Sequence, residues 1–146
     1  MNVIGLGTDI VNINRIQKIF SKYGNHFLDK ILTESEKKIE KKTSKLKNIA
    51  TIAKRFAAKE AISKAIGHGF SKGIHFKNIE IYNDKNGKPH ANVNGKAKVV
   101  LSKISKKYNI FLTLSDDKPW AVATALITSK WKKLLLKMLR HLSLLF

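Results

Sequence analysis

The stretch from residue 46 to residue 66, LKNIATIAKRFAAKEAISKAI, constrains the fold more than any other part of the chain. It is rich in alanine and lysine, holds no glycine or proline, and stops at Gly67. Alanine and lysine favour the helix, and a glycine just past the last turn is a good C-terminal cap. One long helix is predicted here. At about 100° per residue, Ile49, Ile52, Ala53 and Phe56 form one apolar stripe. The stripe runs on to Glu60, close to its centre, and to Lys64 near its edge. A carboxylate on a buried face costs several kcal/mol unless it is paired, hydrogen-bonded or bound to a cation. The plain explanation is an i,i+4 Glu60–Lys64 ion pair on a solvated face, worth only about 0.3–0.5 kcal/mol. A cation ligand is the other.

Around that helix the pattern is mixed. Residues 2–8 (NVIGLGT) look like a first strand, with glycines where backbone must come close to something. A helix from about Asn12 to Tyr23 buries Ile13, Ile16 and Phe20, and a second apolar patch follows at Phe27–Leu32. Thr33 and Glu36 have capping-box spacing, so a polar helix starts there. His75–Asn83 alternates like a strand, and Asp84–Pro89 carries hairpin turn signals. A helix from about Gly95 to Lys107 places Val99, Val100 and Ile104 inward. Strands at Ile110–Ser115 and Trp120–Thr128, joined by Asp116–Pro119, close the domain. There is no βαβ rhythm and no phosphate-binding glycine fingerprint. The expectation is an α+β fold: one compact domain, residues 1–129, with a mostly antiparallel sheet packed against a long central helix. Residues 130–146 form an amphipathic C-terminal extension.

Asp9 is the second acid in an expensive place, directly after Gly5-Leu6-Gly7-Thr8 in an apolar strand region. It either caps the helix beginning near Asn12 or joins Glu60 as an oxygen ligand of a hard divalent cation. Magnesium takes one or two carboxylates together with substrate phosphates and waters, so two protein acids suffice. The residues alone support a metal–phosphate site as one of two readings.

Residues 5–15, GLGTDIVNINR, closely resemble the opening motif of the holo-acyl-carrier-protein synthase family. Residues 55–67, RFAAKEAISKAIG, resemble that family's second motif, and 112–123, LTLSDDKPWAVA, its C-terminal strand–turn–strand. The resemblance runs from about residue 1 to 128, in order. It implies a 4′-phosphopantetheinyl transferase that uses magnesium and moves the phosphopantetheine of coenzyme A onto a serine of acyl carrier protein. It also implies roles. Asp9 and Glu60 match magnesium ligands. Lys64 matches a lysine on the coenzyme A phosphates, and Arg55 and Lys59 fall in the same phosphate-facing motif. Gly67 and Gly69 match positions where backbone nears the nucleotide, although helix capping explains them as well. Arg15 matches a carrier-facing residue, which makes Lys18 and Lys22 on the same helix candidates too. Asp116 sits where family members carry Asp or His. The family's trimers share active sites between chains, so Asp9 and Glu60 are expected to be able to come from different protomers.

Composition sets the remaining bounds. Hydrophobic residues make up 43% and charged residues 27%, values of a folded chain. No cysteine is present, which excludes disulfides, thiolate metal sites and cysteine nucleophiles. The apolar start of the chain carries Asp9 and reads as a strand rather than a signal peptide, so a cytoplasmic location is expected. The net charge is +19, from 29 basic against 10 acidic residues. Residues 1–129 alone keep 24 basic against the same 10 acidic residues, a charge of +14. That field suits an acidic carrier protein. Nucleic-acid binding is an alternative of another class that lacks a motif here, and a broader carrier-protein transferase is the enzymatic alternative. In the extension, Trp131, Leu134, Leu135, Met138, Leu139 and Leu142 share one helical face beside Lys and Arg. It either packs on protein, lies weakly on a membrane surface, or is a poorly ordered addition.

Overall fold

The computed structural model describes residues 2–42, 48–71 and 73–130, the side chains of 39–42 excepted. Strand β1 (Val3–Asn12) leads into helices α1 (Ile13–Tyr23), α2 (Asn25–Ile31) and α3 (Glu34–Lys42). Helix α4 (Ile49–Ala65) is followed by a 3-10 turn at Phe76–Asn78 and the hairpin β2 (Ile79–Asn83)–β3 (Pro89–Val93). Helix α5 (Gly95–Ile104) and the long strands β4 (Tyr108–Asp117) and β5 (Trp120–Ser129) complete it. The three long strands form an antiparallel sheet in the order β1-β5-β4, and β2-β3 is a second antiparallel pair. The fold is α+β, with α4 running through its centre.

The floor under α4 is built from very small residues. Ala121, Ala123 and Ala125 of β5 face the helix and are fully buried. Gly5 and Gly7 go further: a Cβ on either would collide with the carbonyl oxygens of Ala65 and Ala61. Strand β1 therefore lies almost backbone to backbone against α4. The helix answers with Ala57, Ala58, Ala61 and Ala65, all buried. The glycines of the first strand do mark a close approach, and α4 is what approaches.

Helix α4 departs from the single-stripe expectation. Ile52, Ala53, Arg55, Ala57, Ala58, Lys59, Ala61, Ile62, Ser63 and Ala65 are all buried, so the core surrounds the helix instead of meeting one face. Asn48 caps it, its side chain accepting from the amides of Ala50 and Thr51. The capping box at α3 forms as its spacing indicates: Thr33 Oγ1 accepts from the Glu36 amide at 3.2 Å, and Glu36 Oε2 from the Thr33 amide at 2.7 Å.

Three local expectations change. Residues 76–78 of the expected strand wind into the 3-10 turn. Helix α5 turns Ala97 and Leu101 inward and leaves Val99 and Ile104 exposed, because Ala97 and Leu101 stand one turn apart on the face toward the core. Asp9 lies within β1 and caps nothing; the N-cap of α1 is Asn12, whose side chain accepts from the Arg15 amide at 3.2 Å. The extension at 131–146 lies outside the described residues.

Candidate active site

The site follows from the register of β1 on α4. In β1, side chains alternate: Leu6, Thr8 and Ile10 are exposed, while Gly7, Asp9 and Val11 turn toward the helix. Asp9 pairs with Ala123 of β5, so nothing bulky crowds its carboxylate from the neighbouring strand. On the helix, Glu60 and Lys64 stand one turn apart and face β1 where the glycines bring it close. Lys64 Nζ donates to Asp9 Oδ1 at 2.8 Å and to the Thr8 carbonyl at 3.1 Å. The plain i,i+4 explanation is thereby replaced: Lys64 pairs across to β1, not along the helix to Glu60.

Glu60 is left half-buried beside a second acid. Burial pushes its carboxyl above the ordinary carboxylate range, the Asp9 carboxylate pushes it further, and Lys64 draws it part of the way back. Two carboxylates this close repel each other, one of them already held by an ammonium, and a cation beside them would relieve that repulsion. Both acids come from one chain. Within one molecule, β1 and α4 bring them close enough for Asp9 to act on Glu60.

The family profile of the 4′-phosphopantetheinyl transferase superfamily matches residues 5–125, a span that contains Asp9, Glu60 and Lys64. The chain belongs to this superfamily. Holo-[acyl-carrier-protein] synthase of Aliivibrio salmonicida is 46% identical to it over 129 residues, 88% of this chain and all of the relative. The protein of the same name from the Wolbachia of Brugia malayi is 51% identical, over 86% of this chain and 95% of the relative. Among solved structures, the Plasmodium yoelii acyl carrier protein synthase with ADP bound superposes with a TM-score of 0.77 at 42% identity, over 89% of this chain and 98% of that one. The Bacillus anthracis synthase in complex with coenzyme A (3′,5′-ADP) gives 0.71 at 36% identity, over 89% of this chain and all of that one.

Within this transferase the other candidates separate. Lys59 is fully buried, its ammonium bonded to Glu36 Oε2 at 2.7 Å, the Ile31 carbonyl at 2.6 Å and the Phe76 carbonyl at 3.3 Å. A lysine ammonium has three donors, and all three are used. The phosphate role expected of Lys59 is corrected: the helix turns it away from Glu60 and into the core. Arg55 is also nearly buried, donating to Glu36 Oε1 at 3.4 Å and to the Ile81 carbonyl. Unlike Lys59 it lines a cavity, of about 520 Å³, together with Thr51, Lys54, Asn83 and Lys85. The other wall is Leu114 of β4 and the β2–β3 turn.

Gly67 and Gly69 both adopt positive φ, 90° and 57°, and a Cβ on either would meet nothing within 4 Å. Their amides bond to the carbonyls of Lys64 and Ser63, as the capping reading of this helix end expects. Arg15, Lys18 and Lys22 are exposed on α1, with the Lys22 ammonium 5.1 Å from the Tyr23 ring centre. Asp116 is held by Lys54 at 2.6 Å. Glu36 was legible only as a cap. Its second task, binding Lys59 and Arg55 from a helix nineteen and more residues away, leaves no local signal.

Proposed function

We propose that this transferase moves 4′-phosphopantetheine from coenzyme A to a serine of apo-acyl carrier protein and releases adenosine 3′,5′-bisphosphate. The observation that carries it is the convergence of Asp9, Glu60 and Lys64 at the β1–α4 contact, on the two stretches that resemble the synthase motifs. The serine oxygen forms a bond to the phosphorus that bears the pantetheine arm, the pyrophosphate bridge breaks, and the electron pair leaves on the nucleotide phosphate. Lys64 supplies a positive charge at the edge of the site for the phosphate oxygens. Glu60 is the carboxylate nearest the reacting centre to take the proton that the serine hydroxyl gives up, directly or through a water.

The chain's donors fit magnesium. Asp9 and Glu60 would hold it, and two carboxylates are the usual protein share for this ion at a phosphate site. When bound, magnesium neutralises charge on the pyrophosphate and on the leaving group. Arg55, which lines the cavity with Lys54 and with Lys85 of the facing β2–β3 turn, keeps a phosphate role only as the family motif implies it. Arg55 and Glu60 are five residues apart and about 140° around the helix, so this cavity opens on a different side of α4 from Asp9 and Lys64.

Partners follow from surface chemistry. The exposed basic side chains of α1 suit an acidic carrier protein. The outer face of the sheet exposes Val3, Leu6, Ile10, Phe111 and Trp120, an apolar face that a homotrimer with neighbouring sites would cover. No helix among the described residues is long and apolar enough to cross a membrane. The deciding experiment is incubation with coenzyme A, magnesium and apo-carrier, followed by intact-mass spectrometry. The carrier gains one phosphopantetheine; no gain under any metal condition overturns the assignment.

A further inference from the structure

We propose that Lys64 is an internal counter-ion of Asp9, which a divalent cation displaces and thereby releases toward the pyrophosphate, so that metal and coenzyme A bind with positive coupling. The proposal rests on the metal site assigned above and adds to it an order in the electrostatics.

Lys64 is tethered at one end and loose at the other. Its root is packed against β1: the Lys64 Cβ lies 3.0 Å from where a Cβ on Gly7 would stand, so only glycine admits it. Its side chain is nevertheless 48% exposed, against 15% for Asp9. The four-carbon stem can therefore swing its ammonium while the carboxylate stays fixed in the strand. The ammonium now spends two of its three donors on Asp9 Oδ1 and the Thr8 carbonyl.

A cation ligated by Asp9 would sit about 2.1 Å from the carboxylate oxygen it uses. The ammonium is 2.8 Å from Oδ1. Two positive groups on one largely buried carboxylate repel each other, and the one on a flexible, half-exposed stem yields. Once off Asp9, Lys64 has lost a charged partner and is available to the incoming pyrophosphate. Each ligand thus removes part of the cost of binding the other. By linkage the effect must be equal in both directions.

The test measures binding, not turnover. Magnesium affinity is determined by calorimetry for the full chain and for Lys64→Met, each with and without coenzyme A. Without coenzyme A, Lys64→Met binds magnesium about tenfold more tightly, within the range usual for coupled sites. Coenzyme A then tightens magnesium binding less in Lys64→Met than in the unaltered chain. Unchanged or weaker magnesium affinity, or undiminished coupling, overturns the proposal. Asp9→Asn separates the two levels. Magnesium binding that Asp9→Asn leaves intact overturns the metal assignment and the counter-ion with it. Binding that Asp9→Asn abolishes but Lys64→Met leaves unchanged overturns the counter-ion alone. A magnesium titration of the unaltered chain, followed by NMR at the Lys64 side-chain nitrogen, needs no variant to fold. The signal moves as the site fills, and a signal that stays fixed through saturation overturns the proposal.

Discussion

The Lys59 ammonium lies 2.7 Å from Glu36 Oε2 in the interior of the domain, with both side chains fully buried and Glu60 the next residue along the helix. Burial pulls the Lys59 ammonium below its ordinary value, and Glu36 acts against that pull. Glu36 is itself saturated. Its two oxygens accept from the amides of Thr33 and Ile81, from Lys59 and from Arg55. One carboxylate thus ties α3, α4 and β2 together and fixes the rotation of α4 about its axis. The direction in which Glu60 and Lys64 point is set from the opposite side of the helix.

Breaking this pair from one side should be costly. Lys59→Met keeps the stem and removes the charge, leaving the Glu36 carboxylate buried without its nearest cation. A loss of about 3–5 kcal/mol is expected for removing one partner of a buried pair. Urea unfolding checks it. Because Lys59 touches no substrate in the proposed reaction, the variant that remains folded keeps its KM for coenzyme A, whereas Lys64→Met raises it. A Lys59→Met protein of unaltered stability would show that the network does not hold α4.

Gly7→Ala tests the strand–helix contact. Its Cβ would meet the Ala61 carbonyl oxygen and the Ala65 amide, both backbone atoms that cannot rotate away. Overpacking of this kind costs about 1–3 kcal/mol. Strand β1 must also lift from α4, which draws Asp9 away from Lys64 and Glu60, so kcat/KM falls along with stability. Gly87→Ala is the contrast. Gly87 has φ 83° in the β2–β3 turn with open space around it, so the cost is conformational only, about 1 kcal/mol, and the Asp9 site is untouched. Equal losses of activity in the two variants would refute the role given to the contact.

Much of this arrangement was legible in the sequence, and the parts that were not share a cause. Thr33 and Glu36 are three residues apart, and Gly67 adjoins the last helical turn, so local chemistry declares both. The acids Asp9 and Glu60 were visible because each interrupts an apolar run. A single apolar stripe could not describe α4, since a helix mostly enclosed by core has too little solvent face to set the period. Lys59 was assigned to phosphate through the motif resemblance, which names a position but not the direction of its side chain; here it turns inward onto Glu36. Val99 and Ile104 were misplaced because α5 is apolar at 97, 99, 100, 101 and 104, and several faces fit that pattern equally well.

Glu60 carries a signed pH dependence. Its folded-state carboxyl is raised above the unfolded value, chiefly by burial and then by Asp9. Between those two values the folded chain holds a proton that the unfolded chain has lost. Stability contributed at this position therefore falls as pH rises through that window, and the penalty is complete above the folded-state value. Glu60→Gln removes the titration. Urea midpoints measured in metal-free buffer should decline less steeply from mildly acidic to neutral pH in the variant, and at neutral pH the variant should be the more stable of the two. Parallel pH profiles would mean that Glu60 is solvated as an ordinary surface acid. Activity should move the opposite way, with Glu60→Gln losing magnesium-dependent turnover.

The sheet's outer face supplies the last prediction. Leu6 and Ile10 alternate with Gly7 and Asp9 along β1, so the residues that face outward are separated by one position from those that build the site. Leu6 is 65% exposed and Ile10 58%, with Trp120 of β5 and Phe111 of β4 on the same sheet. A charge placed there does not touch Asp9 or α4, but it forbids burial of this face against another copy. Ile10→Glu should therefore leave the thermal stability of the domain near its original value while shifting sedimentation from a larger species to the mass of one chain. If the transferase needs a neighbour beside Asp9, activity falls with that shift and returns partly at high protein concentration. An unaltered chain that sediments at the mass of one chain and is fully active on dilution would leave the trimer without support, and the apolar face of β1 would then require another partner.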